Sequence, residues 1–358
     1  MRQHPFFMRF IFLISFFIGV NVFAQDTTNI DVDSLTIQDL DMVTVVRLVE
    51  IRREVPRFAV LSKQEIQDVQ ANDVGEILQK VPGVNLKSYG GLGGLKTISV
   101  RSLGSQHSAI SVDGFSVQNS QTGQVNLAQI QTNNLESIYI GVGQYAGFLN
   151  PVSSQIAGNN VSLQTFEMTF LTREDSLQIR ANTRLGSFGQ ISGYGAAKVK
   201  VGNGFISGFG NYRTSNGLYP YEIQNGTQTI TGERNNNDYQ DRYFGVAAGY
   251  GFRNSVHARV SYKKSSIDQG LPGAVIFYNS FADERLTTSD HSMSADLRFS
   301  IGEGINARAY VNANSNGMRY FDPSYFNNAG FVDVTYFNRV LNAGVVADGH
   351  LVKDNQHL

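Results

Sequence analysis

The chain has 358 residues, a formal net charge of −1, 36 Gly, 24 Phe and 16 Tyr, and neither Trp nor Cys. That length allows two or more ordinary domains, and the balanced charge argues against a nucleic-acid partner. The lack of cysteine excludes disulfide frameworks, thiolate metal sites, thiol nucleophiles and a lipidated N-terminal cysteine.

Arg2 and Arg9 open a basic start, Phe10 to Val20 is apolar apart from Ser15 and Gly19, and Val22-Phe23-Ala24 has the form of a small-residue cleavage site. This predicts a secretory signal peptide over 1–24, because the apolar run is shorter than the roughly 20 residues that span a bilayer. Residues 25–53 form a leader whose stretch DTTNIDVDSLTIQDLD (26–41) holds five Asp and no base, and so stays solvated. Within it, LDMVTVV (40–46) is a β-prone run suited to an edge strand or to pairing with another protein's sheet edge.

Residues 54–165 read as a compact α+β domain. Ser62-Lys-Gln-Glu65 is a capping box and predicts a short helix. Asn72 is placed to cap a second, with Val74, Ile77 and Leu78 on one face and Pro82-Gly83 as its stop. Strands are expected near 97–101, 108–113, 116–118, 135–140 and 160–164, with Asp113-Gly114 as a hairpin turn.

From about residue 176 the helical period gives way to strict alternation. Val256, Ala258, Val260 and Tyr262 oppose His257, Arg259, Ser261 and Lys263, and Met293 to Ile301 alternates in the same way. Eight strands are expected, at about 177–186, 190–201, 204–214, 241–252, 255–264, 291–301, 304–314 and 335–346. Tight turns at 202–204, 253–255 and 302–304 alternate with long polar loops near 215–240, 265–290 and 315–334. Strands of about ten residues with short turns at one end and long loops at the other predict an antiparallel transmembrane β-barrel. The turns recur regularly enough to raise a propeller, but a blade needs four short strands per repeat, and here each repeat holds two long ones. Tyr212, Tyr243, Phe244, Phe252 and Phe299 suit interfacial girdles, and Arg180, Arg184, Lys198, Arg259, Arg298 and Arg308 suit a wetted or domain-facing lumen.

SYGGLGGLKTISVR (88–101) invites a phosphate-loop reading that its details refuse. A Walker loop needs Gly directly before Lys-[Ser/Thr], and Leu95 precedes Lys96 here. A dinucleotide fingerprint needs a following helix, and a strand is expected. A flexible tip or a ligand-contacting loop remains. The six histidines lack metal-ligand spacing, and Asn235 to Asp238 with Asp241 lacks the order of a calcium loop. No catalytic constellation, cofactor or metal site is expected.

The order of these parts resembles the TonB-dependent outer-membrane transporters. LDMVTVV, with Asp41, Met42, Val43, Thr44, Val45 and Val46, resembles the family's TonB box. LSKQEIQDVQANDVGEILQKVPGV, ISVR (98–101), ISVDG (110–114) and LESIYI (135–140) resemble the plug motifs in series. GGLGGLKTISVR with SAISVDG resembles the vitamin B12 receptor branch, and GLPGAVIFYN (270–279) resembles a loop of Bacteroidetes members. The chain departs from the family at Arg101-Ser102, where Arg-Gly is usual, and at FLNPVSSQIAGNNVSLQTF (148–166), which replaces the usual plug ending.

The resemblance implies an α+β plug over 54–165 and the first part of a β-barrel over 166–358. About eight of the family's 22 strands are expected, so the chain reads as part of a longer transporter, since eight strands enclose too little room for a plug. It further implies a Gram-negative outer-membrane receptor, not an enzyme, whose partners are TonB, outer-membrane lipid and a small-molecule nutrient. That nutrient would be a cobalamin-like corrinoid or an iron–siderophore. Ligand contacts are expected on plug loops at Ser88, Tyr89, Gly90, Gly91, Leu92, Gly93 and Gly94, and at Phe115, Val117, Asn119 and Gln121. Arg101, Asp113 and Glu136 are expected to anchor the plug. The alternative is a surface binding or adhesion protein that uses the barrel only as an anchor.

Overall fold

A computed structural model describes residues 58–117, 123–142, 151, 157–169, 175–252, 256–273, 282–301, 305–325 and 328–349. The predicted signal peptide, the acidic leader and Asp41 to Val46 lie outside the described residues.

The first part opens with strand β1 (Phe58–Ser62) and helix α1 (Lys63–Val69). The predicted capping box is present: the Glu65 N–H donates to Ser62 Oγ, and the Ser62 N–H donates back to Glu65 Oε2 at 2.7 Å. Helix α2 (Val74–Leu78) is capped by Asp73, not by Asn72, because the Asp73 carboxylate accepts the Glu76 N–H at 3.2 Å. Strands β2 (Val84–Tyr89) and β3 (Leu95–Val100) form a separate hairpin. Strands β4 (Ser108–Val112), β5 (Phe115–Val117), β6 (Leu135–Val142) and β7 (Asn159–Thr165) join β1 in a mixed sheet of order β1-β6-β7-β4-β5. Asp113-Gly114 makes the turn between β4 and β5, with Val112 opposite Phe115. Ile66, Val74, Ile77, Leu78, Ile98, Val100, Leu127, Ile138, Val161 and Leu163 close one apolar core between the two helices and the sheet.

The second part is one antiparallel sheet. Its strands are β8 (Leu177–Gly186), β9 (Gln190–Val201), β10 (Gly204–Ser215), β13 (Tyr239–Phe252), β14 (Val256–Gly270), β15 (Arg285–Ile301), β16 (Ile305–Asp322) and β17 (Val332–Gly349), each paired with the next. Between β10 and β13 stands an extra hairpin of β11 (Tyr219–Asn225) and β12 (Gln228–Arg234), where a loop was expected. The registers Val201 to Gly204, Phe252 to Val256 and Ile301 to Ile305 keep three connections short at one end of the sheet. The longer connections all lie at the other end.

Alternation sorts the two faces. Ile179, Leu185, Ile206, Val246, Phe252, Val260, Leu341 and Val345 stand exposed on the outer face, as strands meeting lipid require. Arg213, Asp241, Arg259, Asp296 and Arg308 are buried on the inner face, against the first domain. Tyr243 corrects the girdle expectation: it faces inward and packs edge-on against Phe209, ring centroids 4.8 Å apart. Phe115 and Met168 pack with Phe205 and Ala247, while Phe166 packs with Tyr194, Ala196 and Phe209. These inner contacts depend on bare backbone along β13. A Cβ at Gly245 would lie 2.5 Å from the Phe209 ring, and one at Gly249 would lie 2.4 Å from the Phe205 ring.

Candidate functional site

The β2–β3 hairpin carries the glycine loop to the long-loop end of the sheet. Ser88 pairs with Lys96 and Tyr89 with Leu95 at the loop end of the hairpin. Leu86, Ile98, Val84 and Val100 face the core, whereas Tyr89 and Leu95 stand side by side, 63% and 41% exposed. Between them Gly90 and Gly93 adopt φ of 114° and 81°, in the region that only glycine enters freely. Gly93 also touches the wall. A Cβ there would lie 2.3 Å from Tyr239 Cε2 and 2.4 Å from Gln269 Oε1. Gly91 has open space around it.

Lys96 is not a ligand group. Its ammonium is buried and donates to Asp73 Oδ2 and Glu76 Oε1, each at 2.7 Å, so the loop is tied to the start of α2. Burial pushes the Asp73 carboxyl up, and Lys96 only partly offsets it. Burial also acts on Glu76, but Lys96 and the Asn72 N–H outweigh it and hold the carboxyl below its ordinary value. Burial presses the Lys96 ammonium down, and its hydrogen bonds to Asp73 and Glu76 raise it overall. The knot reaches the wall through neighbouring backbone: Arg213 donates to Asn72 O at 3.1 Å and Arg184 to Ala71 O at 2.6 Å. Arg213 donates as well to Tyr239 Oη, 2.9 Å, and to Asp241 Oδ2, 3.2 Å, while Gln131 donates to the same Asp241 oxygen.

Nearer the short-turn end the two parts are joined by a series of polar latches. Lys263 donates to Asp113 Oδ2 at 2.9 Å, and Arg180 pairs with Glu136. Lys198 donates to Phe166 O and to Thr169 O, Arg308 to Gly114 O at 2.7 Å, and Arg259 to Met168 O at 3.1 Å. Arg259 and Arg308 share Asp296, which lies 2.5 Å from Arg259 Nη2 and 2.9 Å from Arg308 Nε.

Set against the sequence-based expectations, Asp113 and Glu136 lie at barrel contacts, and Arg101 does not. Arg101 is exposed at φ 49° on the turn after β3, makes no ion pair among the described residues, and has its stem beside Gly83. Ser102 takes φ 67°, the conformation that glycine would fill at the usual Arg-Gly. Phe115 is a second correction. It is only 5% exposed, beneath the Arg308 guanidinium and the Tyr310 ring, so it is a packing residue and not a loop contact for ligand. Val117 is half-buried, and Asn119 and Gln121 lie outside the described residues. Lys198, Arg259 and Arg308 do face the first domain, as the alternation implies, but their partners, Asp296 and the backbone carbonyls, do not follow from the sequence. The one sequence signal of these cations is charge recurring at period two on the polar strand face.

A small mixed-sheet domain latched by polar contacts to the inner face of long antiparallel strands defines a plug-and-barrel fold. Residues 51–146 match the TonB-dependent Receptor Plug Domain, and the chain has the fold of those receptors. Its sequence resembles the vitamin B12 transporter BtuB of Photobacterium profundum, 27% identical over 195 residues, which is 51% of this chain and 30% of that relative. BtuB of Vibrio vulnificus (strain YJ016) is 27% identical over 139 residues, 38% of this chain and 22% of the relative. The chain therefore spans less than a third of the curated relatives it matches. Among solved structures, the copper transporter OprC superposes with TM-score 0.61 at 16% identity over 84% of this chain and 44% of its own. The FrpB iron transporter from Neisseria meningitidis gives 0.61 at 15% identity over 83% of this chain and 45% of its own.

Proposed function

We propose that this chain is the plug and leading barrel strands of a TonB-dependent outer-membrane transporter that imports a bulky nutrient, a corrinoid or an iron–siderophore. The observation that carries the reading is the character of the plug's attachment to the wall. The attachment combines small apolar clusters with hydrogen bonds and ion pairs to plug carbonyls and carboxylates. Polar contacts of this kind can be exchanged for water or for other polar partners once the plug moves, whereas a continuous apolar interface cannot, so such a plug is held firmly yet can be moved by applied work.

The ligand would rest on the glycine loop, where Tyr89 and Leu95 offer an apolar platform and Gly90 to Gly94 let a large molecule approach the backbone. Asp41 to Val46 would add as a strand to a TonB sheet edge, main-chain hydrogen bonds supplying the grip. The likeness to transporters named for vitamin B12 favours corrinoids, and the ferric enterobactin receptor PfeA from Pseudomonas aeruginosa, TM-score 0.57 at 15% identity, keeps siderophores in view.

The test is deletion of residues 41–46 from the gene in its own host. Uptake of labelled cobalamin or ferric siderophore should vanish while binding at the cell surface persists. Uptake that continued without these residues would sink the TonB assignment.

A further inference from the structure

Among the described side chains, the inner face of the barrel strands near the short-turn end is basic well beyond what its own acids balance. Arg180, Lys198, Arg259, Lys263, Arg298 and Arg308 face the plug there, and among the described side chains of these strands at that level the carboxylate is Asp296. The plug and the short stretch that follows its last strand supply the missing negative charge and the missing acceptors. Asp113 sits on Lys263 and Glu136 on Arg180, the Gly114 carbonyl takes up Arg308, and just past the plug's last strand the carbonyls of Phe166, Met168 and Thr169 take up Lys198 and Arg259, with the buried carboxylate of Glu167 among them. Cations this deeply buried persist only while such partners remain.

We propose that this belt is a covered anion site: when the plug yields, the belt takes phosphate- or carboxylate-bearing solutes in place of the plug's own carboxylates. The inference takes plug displacement from the transport reading above and adds the charge class of what passes. A lumen lined by one sign of charge with low-dielectric walls concentrates counter-ions by about tenfold or more. The seated Asp113 carboxylate, 2.9 Å from Lys263 Nζ, already occupies the position that such a solute would take. Transport across this surface is then an exchange of anions on a fixed cationic wall, which spares the wall from being left unpaired at any stage.

The cysteine-free chain allows a direct test. Ser261 lies on β14 between Arg259 and Lys263 on the same face, its hydroxyl 2.6 Å from that of Ser294. Ser261→Cys places one thiol in the belt, and Thr229→Cys, on the exposed side of β12, serves as reference. Each is reacted with an anionic (sulfonatoethyl) and a cationic (trimethylammonioethyl) methanethiosulfonate, first with the plug seated and then in urea that leaves the sheet's circular dichroism unchanged.

With the plug seated, the half-buried thiol at 261 should react with both reagents far more slowly than the reference thiol does. With the plug loosened, its anionic-to-cationic rate ratio should exceed the reference ratio by about tenfold or more. Inorganic pyrophosphate should slow the anionic reagent there, and Arg298→Gln should lower the ratio. A ratio at or below the reference, no protection by pyrophosphate, or a thiol that never becomes reactive would each overturn the proposal. Ser294→Cys repeats the measurement should Ser261→Cys fail to fold. None of these readouts depends on TonB, so the charge of the belt and the transport reading fail separately.

Discussion

The carboxylate of Asp113, on the turn between β4 and β5 of the plug, lies 2.9 Å from the ammonium of Lys263 on barrel strand β14. Both side chains are nearly buried, and Asp113 also accepts the N–H and the hydroxyl of Thr165 at 2.8 to 2.9 Å. A single carboxylate thus ties two plug strands to each other and to the wall.

Removing that charge should loosen the plug. Asp113→Asn leaves Lys263 buried without its counter-ion, a loss of about 3–5 kcal/mol for breaking a buried pair. Limited proteolysis of the purified protein should cut within 54–165 at far lower urea than in the unaltered chain. Unchanged protection would show that the other latches suffice.

The same pair sets an acid limit. Burial pushes the Asp113 carboxyl up, but Lys263 and then Thr165 outweigh it and hold the group below its ordinary value of 3.8. A carboxyl lowered in the folded state contributes its full stability above the unfolded value and loses it as pH falls through the folded one. Plug protection should therefore be the same at pH 7 and pH 5 and should weaken only below about pH 4. Weakening already at pH 5 would assign the latch to another group.

Two neighbouring glycines should behave oppositely. Gly93→Ala meets Tyr239 and Gln269 and is strained at φ 81°, so the loop must move, at a cost of about 1–3 kcal/mol. Gly91→Ala meets nothing. Equilibrium binding of cyanocobalamin, or of a ferric siderophore, to whole cells should fall for the first and hold for the second.

Lys96→Met should destabilise the β2–β3 hairpin and should do so in a pH-dependent way. Without the cation, Asp73 and Glu76 are two close carboxyls in a buried site, and their folded values rise above the unfolded ones. Stability is then lost as pH rises from about 4 toward 7, the reverse of the Asp113 case. Urea unfolding at pH 4.5 and pH 7 reads the difference, and equal loss at both would show that the pair is not the cause.

Arg101→Gln should leave plug protection within about 0.5 kcal/mol of the unaltered chain, as expected of an exposed side chain without an ion partner. Ser102→Gly should be neutral or stabilising, since a non-glycine residue at φ 67° carries about 1–2 kcal/mol of strain. Urea midpoints of both variants check this, and a large loss at Arg101 would restore it as an anchor.

Much of the barrel was legible because lipid and lumen impose opposite chemistry on alternate residues. That rule fades toward the long-loop end of the strands, where both faces carry polar residues. β14 accordingly runs on through Ser265 to Gly270, and β15 begins at Arg285 before its alternation becomes apolar. The β11–β12 hairpin was hidden for the same reason, although Asn225-Gly226 at its turn is a readable signal. In the plug, the capping box depends on neighbours three residues apart and could be read directly. The Lys96 knot joins residues 20 and 23 positions apart, and the Asp113 latch joins residues 150 apart, so neither leaves a local trace. Arg101 is an anchor only by the family motif; on its exposed turn the side chain makes no ion pair among the described residues.

The bare backbone at Gly245 and Gly249 has one more consequence. The wall reaches its working thickness there only because two rings from the adjoining strand lie where side chains would otherwise stand. Clearance between stopper and sleeve is therefore calibrated on a single strand, and one added methyl group at either position would act as a wedge that unseats the stopper without touching any charge.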